Sequence, residues 1–386
     1  MIRLFGAILL IAGSCIGAGM LALPAVTGLA GFLPSAVVFI LCWLFMMTTG
    51  LVLLEVNLWL GGGISIISMA HRTLGRWGGG VAWATFLFLF YCLLIAYAAA
   101  SGLLVSGFFA GLTGWAPPSW FGNLLFSSII GWMIYLGTGA VDQLNRFLMI
   151  GLGVTYLALI TVGLPHVDSE LLERHHFKPI LYAVPVILVS FGFHNMIPSL
   201  TTYLRCHRRQ LRWAVVIGSS LPLFAYLLFE WIMLGIVPAD QLSSGEEVLP
   251  KITGQPWVAI AAEYFAFFAI LTSFLAQGLS LRDFLADGFS ITLPGRGQRL
   301  WLVLLVVAPP FLFGASFPGV FDTALGIAGG IGAMILFGIL PCLMVWVGRY
   351  REREITYRVV GGGKAMLVLL IAIASLIVLG ELGRHL

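Results

Sequence analysis

Two stretches decide the fold: GSCIGAGM at residues 13–20 and VSFGFHNMIPSL at residues 189–200. Each lies in the middle of a long apolar run, and each holds residues that a continuous membrane helix does not need. Gly13, Gly17 and Gly19 free the backbone from helical geometry, while Ser14 and Cys15 add little helix propensity. Unwinding there exposes peptide N–H and C=O groups at mid-membrane, and a bilayer tolerates these only where they line a cavity or meet a ligand. Taken alone, the first stretch reads equally well as close helix packing through small residues. The second stretch separates the two readings. Pro198 removes a helical hydrogen bond and clashes with the preceding turn. His194 and Asn195 are costly inside a membrane unless partnered, and so mark function. Interruptions at corresponding positions of two halves point to an inverted-repeat transporter with its site near the midplane.

Composition sets the frame for these breaks. Of 386 residues, 60% are hydrophobic and 9% charged, and the mean hydropathy is +1.04. A soluble domain is about 45–50% apolar and about 25% charged, so the apolar excess must face lipid. At about 20 residues per crossing, eleven spans are expected, over 4–29, 33–59, 80–111, 121–139, 143–164, 180–204, 212–237, 256–285, 298–316, 320–347 and 364–382. The expected fold is an all-α membrane protein, one transporter domain over 1–386. Helices 1–5 (about 1–165) and 6–10 (about 178–348) form a five-plus-five inverted repeat with helices 1 and 6 broken. One extra C-terminal helix covers about 364–382. The first span, with Arg3 ahead of it and no small-residue cleavage site, is expected to be retained. Cys15, Cys42, Cys92, Cys206 and Cys342 have neither paired nor metal spacing and are expected to be free thiols.

Charge placement gives the orientation. With the N-terminus cytoplasmic, 16 of the 20 Lys and Arg residues fall on inside segments, Arg349 and Arg353 among them. Only Arg174, Lys178, Lys251 and Arg384 fall outside, as the positive-inside rule requires. The chain is therefore expected to be a multi-pass protein of a bacterial inner membrane, N-terminus cytoplasmic and C-terminus periplasmic. The basic run RCHRRQLR (205–212) reads as a topology anchor facing lipid headgroups, with no nucleic-acid partner expected. GGGISIISMAHRTLGRWGGG (61–80) reads as a short amphipathic helix on the cytoplasmic surface, either an inner gate or a connector. PHVDSELLERHHFKP (165–179) reads as a solvated outer loop, although His166, His175 and His176 also allow metal binding.

The broken stretches suit a small zwitterion, an amino acid. Half-helix N-termini offer N–H groups to its carboxylate and unwound carbonyls accept from its ammonium. Tyr91, Tyr97, Phe191 and Phe193 are candidate walls for a planar side chain. Of the embedded carboxylates Glu55, Glu230, Glu263 and Asp322, Glu230 is the deepest and is a candidate proton carrier. His194, in the broken helix, titrates near physiological pH and is the preferred proton-sensitive group. Thr272 and Ser273, with carbonyls at Gly13 and Ile16, offer oxygen ligands to a small cation; hydroxyls bonded to their own helix are the alternative.

These residues carry a resemblance. GSCIGAGMLALP (13–24), VLLEVN (52–57), VDQLNRFL (141–148), SFGFHNMIPSL (190–200), LRW (211–213), TSFLAQGLSLRDFLAD (272–287) and YRVVGGGKA (357–365) run over the whole chain. Together they resemble the hydroxy/aromatic amino acid permease family of the amino acid–polyamine–cation superfamily, most of all its tyrosine-specific branch. The resemblance implies proton symport of tyrosine, with tryptophan or phenylalanine as further substrates. It carries substrate contact onto Gly13, Ser14, Cys15, Ile16, Gly17, Ala18 and Gly19, and onto Ser190, Phe191, Gly192, Phe193, His194 and Asn195. A second cation position falls on Gly13, Ile16, Thr272 and Ser273, which in proton-driven members need not hold sodium. Arg282, Ala276 and Gln277 depart from the family pattern; Gln277 is within reach of the pocket and bears on which neutral amino acid is taken. No cofactor is expected beyond the coupling ion, H+, with Na+ as the alternative. A sodium-coupled transporter of another neutral amino acid, or a sensor or channel on the same fold, are the competing readings. No segment pairs a nucleophile with a base, so no enzyme is expected.

Overall fold

The computed structural model describes residues 2–238, 241–242, 254–255, 257–289, 291, 295–317, 319–352 and 358–385. Lys251, Arg353, Tyr357 and most of the loop between spans 7 and 8 lie outside the described residues. Among the described residues ten helices are each long and apolar enough to cross a membrane. An eleventh crossing is a bent pair, Arg3–Cys15 and Gly19–Thr27, meeting at 53°. Span 1 is thus Ile2–Cys15 plus Gly19–Thr27, span 2 Phe32–Trp59, and span 3 the long part of Ile66–Thr113. Span 4 is Ser119–Leu136, span 5 Thr138–Gly163, and span 6 Phe177–Ser190 plus Ile197–Tyr203. Spans 7, 8 and 9 are Arg208–Ile236, Trp257–Gly288 and Arg296–Ser316. Span 10 starts at Phe321, and span 11 is Gly363–His385. Span 1 packs against spans 6 and 7, span 8 against spans 3 and 5, and span 10 against spans 3, 6 and 11.

Glycine geometry sets several boundaries. Gly75 has φ 75° and ψ −165°, which separates a surface helix beginning at Ile66 from span 3. Ser65 caps that helix by accepting from the Ser68 N–H at 3.2 Å. Gly137, at φ 103°, turns span 4 directly into span 5. Span 5 therefore begins at Thr138 and not at 143, and VDQLNRFL is helical. Both departures have one cause: hydropathy averages over a turn that a single left-handed residue completes.

Span 6 corrects the reading of Pro198. The helix ends at Ser190, a short 3-10 turn covers His194–Met196, and Pro198 occupies the first turn of the second half-helix, Ile197–Tyr203. Its missing N–H is one that a first turn leaves unbonded anyway. The break precedes the proline and lies at Phe191–Phe193.

Span 10 holds a feature with no local sequence signal. Ala328–Ile339 is a π-helix of 12 residues, between helices Phe321–Ile327 and Leu340–Val347. Such segments are rare and cluster at functional positions. Gly329 lets it touch span 6: a Cβ there would stand 1.8 Å from the Pro185 carbonyl oxygen.

One charge reading also changes. Arg349, expected in a cytoplasmic loop, is buried and donates from Nε and Nη2 to the two Glu55 oxygens, each at 2.7 Å. The backbone N–H groups of Val359 and Val360 donate to the same carboxylate. The loop at 165–176 is largely exposed, as expected of a solvated segment, and is tied down at two points. The Asp168 N–H donates to the Gly235 carbonyl at 2.8 Å and the His176 N–H to the Ala30 carbonyl at 2.9 Å, holding it over spans 1 and 7. Among the described residues no group of three His, Cys, Asp or Glu side chains could hold a metal ion. The cysteines are free.

Candidate substrate site

The two breaks face each other and are held together. Between Cys15 and Gly19 the span 1 backbone leaves helical geometry, and the Ala18 N–H donates to Ser273 Oγ on span 8 at 2.9 Å. A Cβ on Gly17 would stand 2.3 Å from Ser273 Oγ, and one on Gly19 2.5 Å from Ser190 Oγ. Only glycine admits such close approach. From span 7 the fully buried Tyr226 sets its hydroxyl 2.6 Å from the Cys15 carbonyl and 2.9 Å from the Ser190 carbonyl. One phenol therefore ties the last residue of each broken half-helix. Sequence reasoning missed it, because a lone tyrosine in an apolar span has no local signal.

A cavity of about 290 Å³ lies at this junction. Its walls include Gly13, Ser14, Cys15, Gly17, Ala18 and Gly19 from span 1, and Ser190, Gly192 and Asn195 from span 6. Tyr97 on span 3 and Thr272, Ser273, Ala276 and Gln277 on span 8 also line it. Leu89, Phe90 and Leu93 on span 3, Asn145 and Met149 on span 5, and Leu325 and Phe337 on span 10 line it as well. None of this last group was foreseen. Apolar residues at helical spacing look alike in sequence whether they face a neighbour, lipid or a cavity.

Other expected contacts fall elsewhere. Phe191 packs on Tyr226, ring centroids 5.2 Å apart. Phe193 lies against Gly50 of span 2. His194 is stacked between Phe193 and Phe337 at 4.9 and 4.6 Å, with Nε2 3.0 Å from Thr49 Oγ1. These three side chains, with Ile16, do not line the cavity. Tyr91 donates its hydroxyl to the Leu305 carbonyl of span 9 at 2.9 Å and does not line it either. Glu230 sits between spans 1 and 7, fully buried, with one oxygen bonded to Thr27 and Oε2 without a partner. Of the hydroxyl pair, Thr272 donates to the Phe268 carbonyl at 2.8 Å and Ser273 accepts from Ala18. Arg282 donates to the Ile134 carbonyl and pairs with Asp283.

Access is one-sided. The cavity continues past the exposed Ala276 to Ser280, late in span 8, and to Asp142, early in span 5, on the side where span 1 begins. On the other side it is closed by the Tyr226 ties, the Thr27–Glu230 contact and the loop segment bonded to Ala30 and Gly235.

The model of the tryptophan/tyrosine permease family matches residues 1–380. The chain is 31% identical over 407 aligned positions to the tryptophan-specific transport protein of Haemophilus influenzae, covering 99% of the chain and 96% of the relative. It is 30% identical over 386 positions to the tyrosine-specific transport system 1 of the same organism, covering 95% and 93%. Among solved structures, MhsT in complex with L-phenylalanine matches with a TM-score of 0.71 at 19% identity, over 98% of this chain and 97% of that one. That likeness bears on the fold, an all-helical bundle with the first and sixth crossings broken. Glycine-built breaks, a cavity between them and full-length relatives that are transport proteins converge: the chain is no enzyme but a multi-pass membrane protein that belongs to the tryptophan/tyrosine permease family.

Proposed function

We propose that this protein carries aromatic amino acids, tyrosine foremost, across a bacterial inner membrane by proton symport, with its N-terminus cytoplasmic. The observation that carries the reading is the cavity where the two breaks meet, lined by residues of both breaks and by aromatic and aliphatic side chains of spans 3 and 10. The outer half of span 1 begins at Gly19, so its positive end faces the cavity and suits the substrate carboxylate. The outer half of span 6 ends at Ser190, so its negative end faces the same space and suits the ammonium. Phe90, Phe337, Leu93 and Tyr97 suit the ring. Relatives named for tryptophan and for tyrosine transport support the aromatic class. The basic bias of 16 in 20 supports the orientation, and with it the open cavity faces the cytoplasm.

Glu230 supports proton coupling. It is buried at the outer closure with an oxygen unpartnered, and an unpaired buried charge is expensive, so this carboxyl suits a proton carrier. Sodium coupling has one observation in its favour, that Thr272 and Ser273 both line the cavity. Both hydroxyls are engaged with backbone, which favours the proton. Labelled tyrosine uptake into proteoliposomes, with pH and sodium gradients imposed separately, tests both. A pH gradient alone is expected to drive accumulation. If neither gradient raises uptake above the no-gradient control, both readings fall.

A further inference from the structure

The cavity holds polar atoms that the tie between the breaks does not use. Among the described residues, six buried side-chain polar atoms have no hydrogen-bond partner, and three of them are amide oxygens lining this one cavity: Asn145 Oδ1, Asn195 Oδ1 and Gln277 Oε1. Buried polar groups are paired in the great majority of cases, so such a grouping needs a reason. The neighbouring polar groups on the open side are already engaged. Asp142 pairs with Arg146 at 2.8 Å, and Ser280 donates to the Ala276 carbonyl at 2.9 Å.

Position divides the three amides. Asn195 belongs to the span 6 break, beside the backbone that suits the substrate's charged ends. Asn145 and Gln277 lie farther along. Gln277 is four residues beyond Ser273 on span 8, on the same helix face. Asn145 is four residues before Met149 on span 5, and Met149 Cε is 3.4 Å from a Cβ built on Gly13. Both therefore sit about one helical turn, about 5.4 Å, from the breaks toward the open side. Phe90, Leu93 and Phe337 line the same cavity and give it apolar walls suited to a ring.

We infer that Asn145 and Gln277 read the polar tip of the aromatic side chain, their oxygens accepting from a phenol O–H or an indole N–H. The inference rests on the aromatic reading above and adds to it a basis for selectivity. A ring without a donor leaves both oxygens buried and unpaired, whereas tyrosine and tryptophan each supply one. A site built to hydrogen-bond a substrate O–H or N–H rejects the analogue that lacks it far more strongly than an apolar pocket rejects a change of size.

The experiment is uptake of labelled tyrosine, tryptophan and phenylalanine into proteoliposomes by the wild type, Asn145→Leu and Gln277→Leu. Asn145→Ala and Gln277→Ala replace any leucine variant that shows no cooperative melt. The wild-type kcat/KM ratio of tyrosine to phenylalanine is expected to be at least about tenfold, and to fall in each variant. The rise in melting temperature that each amino acid confers on purified protein is expected to converge in parallel, a readout independent of transport. A wild-type ratio near one, or a ratio unchanged in the variants, overturns the inference while leaving aromatic transport standing. A wild type that takes up none of the three overturns the aromatic reading and the inference with it.

Discussion

Tyr226 and Glu230 lie one turn apart on span 7 and divide the work of the closed side. Tyr226→Phe leaves the Cys15 and Ser190 carbonyls without their shared phenol, and a buried group stripped of its partner costs about 1–3 kcal/mol. A lower melting temperature in detergent and weaker tyrosine binding are expected. Glu230→Gln keeps the size and the Thr27 contact but removes the proton. It is expected to lose pH-driven accumulation and to retain tyrosine exchange between loaded vesicles and medium. His194→Gln is expected to keep the pH response, because the imidazole is packed between two aromatic rings. The reverse pattern would hand the proton to His194, the group the sequence favoured. At this scale residue types were legible and facings were not. Phe191, Phe193 and His194 stand in one motif with Asn195, yet only Asn195 reaches the cavity, because a break of three residues rotates the chain by an amount that no local pattern encodes.

The breaks themselves are element-scale devices built by glycine. In Gly17→Ala the new Cβ would overlap Ser273 Oγ, displacing the group that holds the Ala18 N–H. Uptake is expected to fall at least about tenfold, as misplacement by about 1 Å commonly does. Gly17→Ala with Ser273→Ala is expected to recover stability measured by thermal melting more fully than uptake, since space returns but the hydrogen bond does not. Steric overlap is refuted as the cause if the double variant melts no higher than Gly17→Ala. The existence of both breaks was readable from Gly13, Gly17, Gly19 and Gly192 and from the polar pair beside them. The agent of the second break was not: Pro198 looked like the breaker and proved to be a first-turn residue. The π-helix of span 10 was not readable either, since its glycines serve contacts with Pro185 and Glu381 that lie far away in sequence.

Across the whole molecule, Glu55 and Arg349 join spans 2 and 10 to the segment that leads into span 11. Breaking such a buried pair by removing one partner costs about 3–5 kcal/mol. Arg349→Met is therefore expected to destabilise strongly, and Glu55→Gln with Arg349→Met less, both read as melting temperature. Access is a second property at this scale. With the native cysteines replaced, Ala276→Cys is expected to react with an impermeant maleimide from the cytoplasmic face, and tyrosine is expected to slow the reaction. Reaction from the periplasmic face alone would reverse the orientation drawn from the basic residues.

What the sequence by itself determined is whatever depends on neighbours along the chain: eleven crossings, the two interrupted ones and the charge asymmetry. Solvation by lipid acts on every residue according to its own type, so these properties are local and add up along the sequence. Only the tertiary structure decided which side chains line the cavity, that Tyr226 ties the two breaks, that Glu55 meets Arg349 and that Asn145 and Gln277 line one cavity. Those are pairings across tens to hundreds of residues. They are set by how helices pack and rotate against each other, and helices that must be apolar on every face leave no stripe in the sequence to say which way they turn.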